Sequence, residues 1–199
     1  MTYLLKNLLL NSRQFGFLPG RSTVLEFATL LHYVNVTLAD DPGNYVRSIF
    51  LDISKAFNKV WHQGLLQKLA ALGIRTEWFK FYLTGWTMCT RVEGVESTHA
   101  TVLAGVPWGS VLGPLLFLCY VKDVSSSMNT PHFMFADDTT VLIIQNRQTP
   151  TKNALAVQTA LRDIDQWAKA WLVKFNATKS EDLVITGGKQ DSDAIILLS

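Results

Sequence analysis

The chain has 199 residues, of which 48% are apolar and 17% charged, with a formal net charge of +2. That apolar share excludes a disordered chain, and the length suffices for one domain with a sizeable core. The charged share lies below the usual quarter, which suggests surface covered by a partner or by further segments.

Residues 1–12 read as a short helix carrying Leu4, Leu5, Leu8 and Leu9. A Gly- and Pro-containing loop follows from Gln14 to Thr23. Thr23 and Glu26 fit a capping box for a core-facing helix with a stripe of Phe27, Leu30, Leu31, Val34 and Leu38. After a turn at Asp40 to Asn44, Tyr45 to Ile53 reads as a buried strand ending in Asp52. A carboxylate at the end of an apolar strand is costly without a partner. Ser54 to Lys59 reads as a turn or short helix. Helices are expected over Gln63–Leu72 and Thr76–Thr84, closed by Gly73 and Gly85. Two short strands, Thr87–Glu93 and Ser97–Leu103, flank Gly94. A loop at Gly105 to Ser110 precedes an apolar helix, Val111–Val121.

His132–Ala136 and Thr139–Ile144 read as a tight hairpin with Asp137 and Asp138 at its tip. Two adjacent carboxylates repel, and a hard divalent cation removes the conflict. Pro150 suits the start of a long helix to Trp171, with Leu183–Thr186 as the last strand and Gly187–Ser199 as a frayed tail. The order is that of an α+β fold, with helices against one face of an antiparallel sheet. If the Asp52 strand lies beside the hairpin, three carboxylates converge at one sheet edge, a two-metal arrangement for phosphoryl chemistry.

The remaining features discriminate less. Lys6, Arg13 and Arg21 precede the first acid, so the N-terminal end is locally basic and compatible with phosphate contact. Cys89 and Cys119 suit reduced, buried thiols, and the four histidines form no zinc pattern. The N-terminus is a poor signal peptide, and no apolar run is long enough to span a bilayer. The chain reads as soluble and intracellular, with no membrane partner and no Lys/Arg cluster to mark a nuclear signal.

The motifs resemble those of reverse transcriptases, and most closely those of non-LTR (LINE-type) retrotransposons. Leu51-Asp52-Ile53-Ser54-Lys55-Ala56-Phe57, the run from Gly105 through Pro107 and Gly109 to Pro114, and Phe135-Ala136-Asp137-Asp138 are similar to the first three palm motifs. Gln14-Phe15-Gly16-Phe17 with Arg21-Ser22-Thr23 resembles the segment before the palm, and Trp171 through Asn176 to Lys179 the fourth palm motif. The resemblance covers roughly residues 13–186. It implies a polymerase palm with an antiparallel sheet backed by helices, divided as partial fingers 1–44, palm 45–188 and tail 189–199.

The resemblance also implies RNA-directed DNA polymerase activity on an RNA template, a DNA primer and a dNTP. Asp52, Asp137 and the Ile53 carbonyl would hold two Mg²⁺ or Mn²⁺ ions, with Asp138 supporting. Phe57 would be a gate against a 2′-hydroxyl or, equally, a core aromatic. Gly105, Pro107 and Gly109 would lie near nucleotide and template, Arg21 near nucleic acid, and Lys179 near the leaving pyrophosphate or simply in solvent. Trp108 stands at the nucleotide-binding position where the family carries a glutamine that contacts nucleotide or template, Asn58 where aspartate is usual, and Ser180-Glu181 departs from the usual sequence after the lysine. The fingers, thumb and endonuclease regions of a full-length element protein are implied as missing partners. Two other readings stay open. One is a catalytically inactive palm acting as a nucleic-acid-binding or scaffold protein. The other is a different two-metal enzyme such as a nuclease, against which Phe57 and the Gly105–Pro114 loop argue.

Overall fold

In chain order the elements are α1 (Thr2–Lys6), α2 (Thr23–Asp40), β1 (Asn44–Leu51), α3 (His62–Ala71), α4 (Glu77–Leu83), the short strands β2 (Thr87–Met88), β3 (Arg91–Val92), β4 (Val95–Glu96) and β5 (Ala100–Thr101), then α5 (Leu112–Val121), β6 (His132–Phe135), β7 (Asp138–Asn146), α6 (Pro150–Ala170) and β8 (Glu181–Thr186). The computed structural model describes residues 1–107 and 109–187, without the side chains of Ser125 and Ser127. Trp108 and all but the first residue of the expected tail lie outside the described residues. The chain divides into two units, one of Leu10–Ser54 with Lys122 onward, the other of Met1–Leu9 with Lys55–Val121.

The first unit is built on an antiparallel sheet in the order β6-β7-β1-β8. The expected adjacency of the Asp52 strand and the hairpin is met, because β1 pairs with β7 from Asn44↔Asn146 to Leu51↔Thr139. Every residue of β7 from Thr139 to Ile143 is buried, so the strand is covered on both faces. On one face Leu30 and Val34 of α2 join Phe15, Val46, Phe133 and Leu142. Side chains alternate along a strand, so Tyr45 and Gln145 point to the opposite face. There they meet α6: Asn153 Nδ2 donates to Tyr45 Oη at 3.1 Å, and Gln145 Nε2 to the Asn153 carbonyl at 3.3 Å. The helices therefore cover both faces rather than the single face expected from element order.

Two details of α2 differ from expectation. The N-cap is Ser22, whose hydroxyl accepts from Leu25 N at 3.2 Å, so Thr23 is the first helical residue and the capping box is absent. Phe27 and Leu31 are 61% and 40% exposed, because the inward stripe is Leu30, Val34 and Thr37.

In the second unit α1 is a single turn rather than a helix to residue 12, tied down by Tyr3 Oη donating to the Leu72 carbonyl at 3.2 Å. The buried α5 packs on α3, where the buried Lys68 donates to the Tyr120 carbonyl and lies 5.0 Å from the Tyr120 ring centroid. Gly73 and Gly85 follow α3 and α4 at φ 72° and 78°, as the sequence predicts. The two expected strands about Gly94 are nested exposed pairs, β2 with β5 and β3 with β4. Cys119 is buried as expected, but Cys89 is exposed because that ribbon buries nothing. Among the described residues no helix is long and apolar enough to cross a membrane.

Candidate active site

Strand register brings the acids together. β1 ends at Leu51, opposite Thr139, so Asp52 emerges beside the start of β7. β6 and β7 close at the pair Phe135↔Asp138, leaving Ala136 and Asp137 as a two-residue turn. Asp137 thus stands at the tip while Asp138 is the first residue of β7. Ala136 has φ 59°, a left-handed conformation that L-residues other than Asn and Asp rarely adopt.

Asp52 and Asp138 line one cavity of about 450 Å³ with Lys179, Glu26, Phe27 and Phe50. Lys179 Nζ lies 3.7 Å from Asp52 Oδ1. Burial pushes the Asp137 carboxyl above its ordinary range, with the Asp52 charge adding to the rise and Lys179 opposing it. Burial also raises Asp138, followed by the charges of Asp137 and Asp52. The cluster therefore carries more negative charge than Lys179 offsets.

The backbone beyond β1 is pinned by residues 174–176. Ile53 faces Phe175 in an isolated antiparallel bridge whose bonds are made by its neighbours, Asn176 N to Asp52 O and Ser54 N to Lys174 O, both 2.8 Å. The amide and carbonyl of Ile53 itself consequently point away from Phe175. Asn176 also organises the turn that presents Lys179: its carbonyl accepts from Lys179 N at 3.1 Å, and its side chain accepts from Thr178 N and Oγ1.

Among the described residues no three His, Cys, Asp or Glu side chains group as metal ligands. The chemistry of the donors still fits a hard divalent cation, since carboxylate oxygens and a carbonyl free of its neighbouring strand are oxygen ligands with uncompensated negative charge.

Sequence reasoning missed Glu26 as a wall of this cavity. Its carboxyl is raised by burial and then by Asp138. The only hint was an acid in the first turn of α2, which the capping box had absorbed. Arg21 is used within the fold: its Nη1 donates to Ser12 O at 2.5 Å and Gln14 O at 3.2 Å, and its guanidinium lies 5.0 Å from the Phe15 ring centroid.

Phe57, Gly105, Pro107 and Gly109 belong to the other unit. Phe57 stacks on Phe117 with centroids 4.8 Å apart, so its core contact is real, and its carbonyl accepts from Val106 N at 2.8 Å. Gly105 has φ 96°, and a Cβ there would stand 2.8 Å from the carbonyls of Phe57 and Asn58. His62 Nε2 lies 2.7 Å from the Gly105 carbonyl, a contact that spacing did not reveal. Pro107 O accepts from Ser110 Oγ at 2.8 Å, and Gly109 is exposed at φ 71°.

Residues 2–192 match the family described as reverse transcriptase (RNA-dependent DNA polymerase). The chain is 34% identical over 181 residues to the probable RNA-directed DNA polymerase from transposon X-element of Drosophila melanogaster, covering 87% of this chain and 19% of that protein. It is likewise 34% identical over 181 residues to the RNA-directed DNA polymerase from mobile element jockey of the same organism, covering 83% and 19%. The chain thus spans about one fifth of the curated relatives it matches. Among solved structures, telomerase from Candida tropicalis in complex with a telomeric RNA fragment superposes with a TM-score of 0.66 at 13% identity, over 94% of this chain and 33% of that one. The apo telomerase truncated from its C-terminal domain gives 0.61 at 14% identity, over 98% and 41%. At such identities the likeness shows the fold, a polymerase palm of mixed α and β structure.

Proposed function

The chain belongs to the reverse transcriptase (RNA-dependent DNA polymerase) family, and from that premise we propose that it carries the palm chemistry of a LINE-type element: transfer of a nucleotide from a dNTP to a DNA primer 3′-hydroxyl on an RNA template. The observation that carries the proposal is the register that sets Asp52 beside the Ala136–Asp137 turn, with Lys179 3.7 Å from Asp52. Asp52, Asp137 and the Ile53 carbonyl would hold two divalent cations, Mg²⁺ or Mn²⁺, with Asp138 supporting. Bound cations supply Lewis-acid charge at the attacking hydroxyl and the phosphates.

The chain's own groups have further roles in this reading. Lys179, 3.7 Å from Asp52, offsets part of its charge and would meet the leaving pyrophosphate. Phe57, stacked face to face on Phe117, is the gate against a 2′-hydroxyl. The backbone at Gly105, Pro107 and Gly109 approaches nucleotide and template, and Arg21 lies along the nucleic acid. Fingers, thumb and endonuclease regions of a full-length element protein are the expected partners.

Primer extension on an RNA template tests this, with Mg²⁺ and then Mn²⁺, comparing the unaltered chain with Asp137→Ala. Extension that is lost in Asp137→Ala supports the proposal. Extension that survives the substitution removes the carboxylates from the chemistry and sinks it.

A further inference from the structure

Gln14 is 2% exposed, and its side-chain amide does the work of a strand partner for one residue. Gln14 Nε2 donates to the Ala136 carbonyl at 3.1 Å, and Gln14 Oε1 accepts from Ala136 N at 2.9 Å. The same oxygen accepts from Gly16 N at 2.8 Å, which fixes the rotamer. The backbone beside it pairs with β6, the edge strand of the sheet: Phe15 N donates to Met134 O at 2.7 Å, and Met134 N to Arg13 O at 3.0 Å. Gly16 allows this approach, since a Cβ there would fall 2.3 Å from Ala136 N.

Ala136 itself has no preference for φ 59°. A conformation of that kind persists only where its surroundings over-determine it. Both polar backbone groups of Ala136 are held by Gln14 from a segment 122 residues away. The next residue is Asp137.

We propose that Gln14 is a positioning residue: by gripping the backbone of Ala136 it sets the direction in which the Asp137 and Asp138 carboxylates leave the turn. This rests on the reading of those carboxylates as divalent-cation ligands, and two measurements keep the two claims apart. The chain is prepared unaltered, as Gln14→Met, which has similar length and neither donor nor acceptor, and as Gln14→Asn, which keeps the neutral amide on an arm one carbon shorter. The first measurement is amide hydrogen exchange at Ala136 by NMR. The second is the Mn²⁺ dissociation constant by electron paramagnetic resonance.

In Gln14→Met the protection of the Ala136 amide falls about tenfold, as loss of a buried hydrogen bond requires, and Mn²⁺ binds correspondingly more weakly. Amides of Leu65 and Leu69 in the other unit keep their protection. Gln14→Asn falls between, and it decides the matter by the same two readouts if Gln14→Met does not fold. Unchanged exchange at Ala136 overturns the proposal. So does a loosened Ala136 with unchanged Mn²⁺ affinity, which would make Gln14 merely structural. Failure of the unaltered chain to bind Mn²⁺ would count against the cation reading of the site, and Ala136 exchange would still decide whether Gln14 holds the turn.

Discussion

Replacing Gly105 by alanine should destabilise its unit for two separable reasons. The residue has φ 96°, outside the region open to L-residues, and a Cβ would stand 2.8 Å from the carbonyl oxygens of Phe57 and Asn58 and 2.9 Å from Asn58 Cα. The backbone cannot easily move aside. Gly105 N donates to Val60 O and Val106 N to Phe57 O, both at 2.8 Å, and the His62 ring sits on the Gly105 carbonyl. The dihedral costs about 1–2 kcal/mol, and the overlap with two backbone carbonyls adds about 1–3 kcal/mol. The stiffer unfolded chain offsets about 0.4–1 kcal/mol. The net loss is about 1–4.5 kcal/mol. Gly85→Ala is the control, because Gly85 has φ 78° with nothing within 4 Å of the added carbon. It should lose only about 0–1.5 kcal/mol. Guanidinium unfolding of the unaltered chain and both variants, followed by tryptophan fluorescence with the slope checked for constancy, measures the difference. Equal losses in the two variants would refute the steric half of the reasoning.

Two further outcomes follow from charge. Asp138 has a raised carboxyl, so between the ordinary carboxylate value and that raised value the native state binds more protons than the unfolded state. Stability therefore falls as pH rises through this window, and Asp138→Asn should be the more stable protein at pH 7.5, with the advantage vanishing in acid; denaturant midpoints at both pH values check it, and a destabilised variant at pH 7.5 would contradict the sign. Arg47 and Asp182 form an ion pair at 3.4 Å, with side chains 25% and 7% exposed, yet burial still raises the Asp182 carboxyl more than Arg47 lowers it. Arg47→Leu should thus cost about 1–3 kcal/mol by stranding the acid, whereas Arg47→Met with Asp182→Leu should lie near the unaltered chain, as thermal unfolding would show.

Local signals carried much of the fold. The apolar run ending at Asp52, the two runs flanking Asp137-Asp138 and the Pro150 helix all appear close to where periodicity and turn chemistry put them, because each depends on residues adjacent in the chain. Family motifs supplied Lys179, and the structure adds its 3.7 Å approach to Asp52. Errors occurred where a choice was set by distant packing. Ser22 and Thr23 are both good caps, and it is Ser22, in extended backbone, that caps α2. Phe27 and Leu31 are apolar and correctly spaced, yet stay exposed because the helix turns Leu30, Val34 and Thr37 inward instead.

The sequence by itself therefore determined the main helices and the sheet strands, that an acid follows one apolar strand and that two acids stand where two others meet. Tertiary structure alone decided that Asp138 begins a strand while Asp137 holds the tip, that Glu26 faces the same cavity, and that Gln14 grips Ala136 from 122 residues away. Hydrophobic period and turn preference act over a few residues, whereas the direction of a carboxylate is set by whatever backbone the fold brings alongside it.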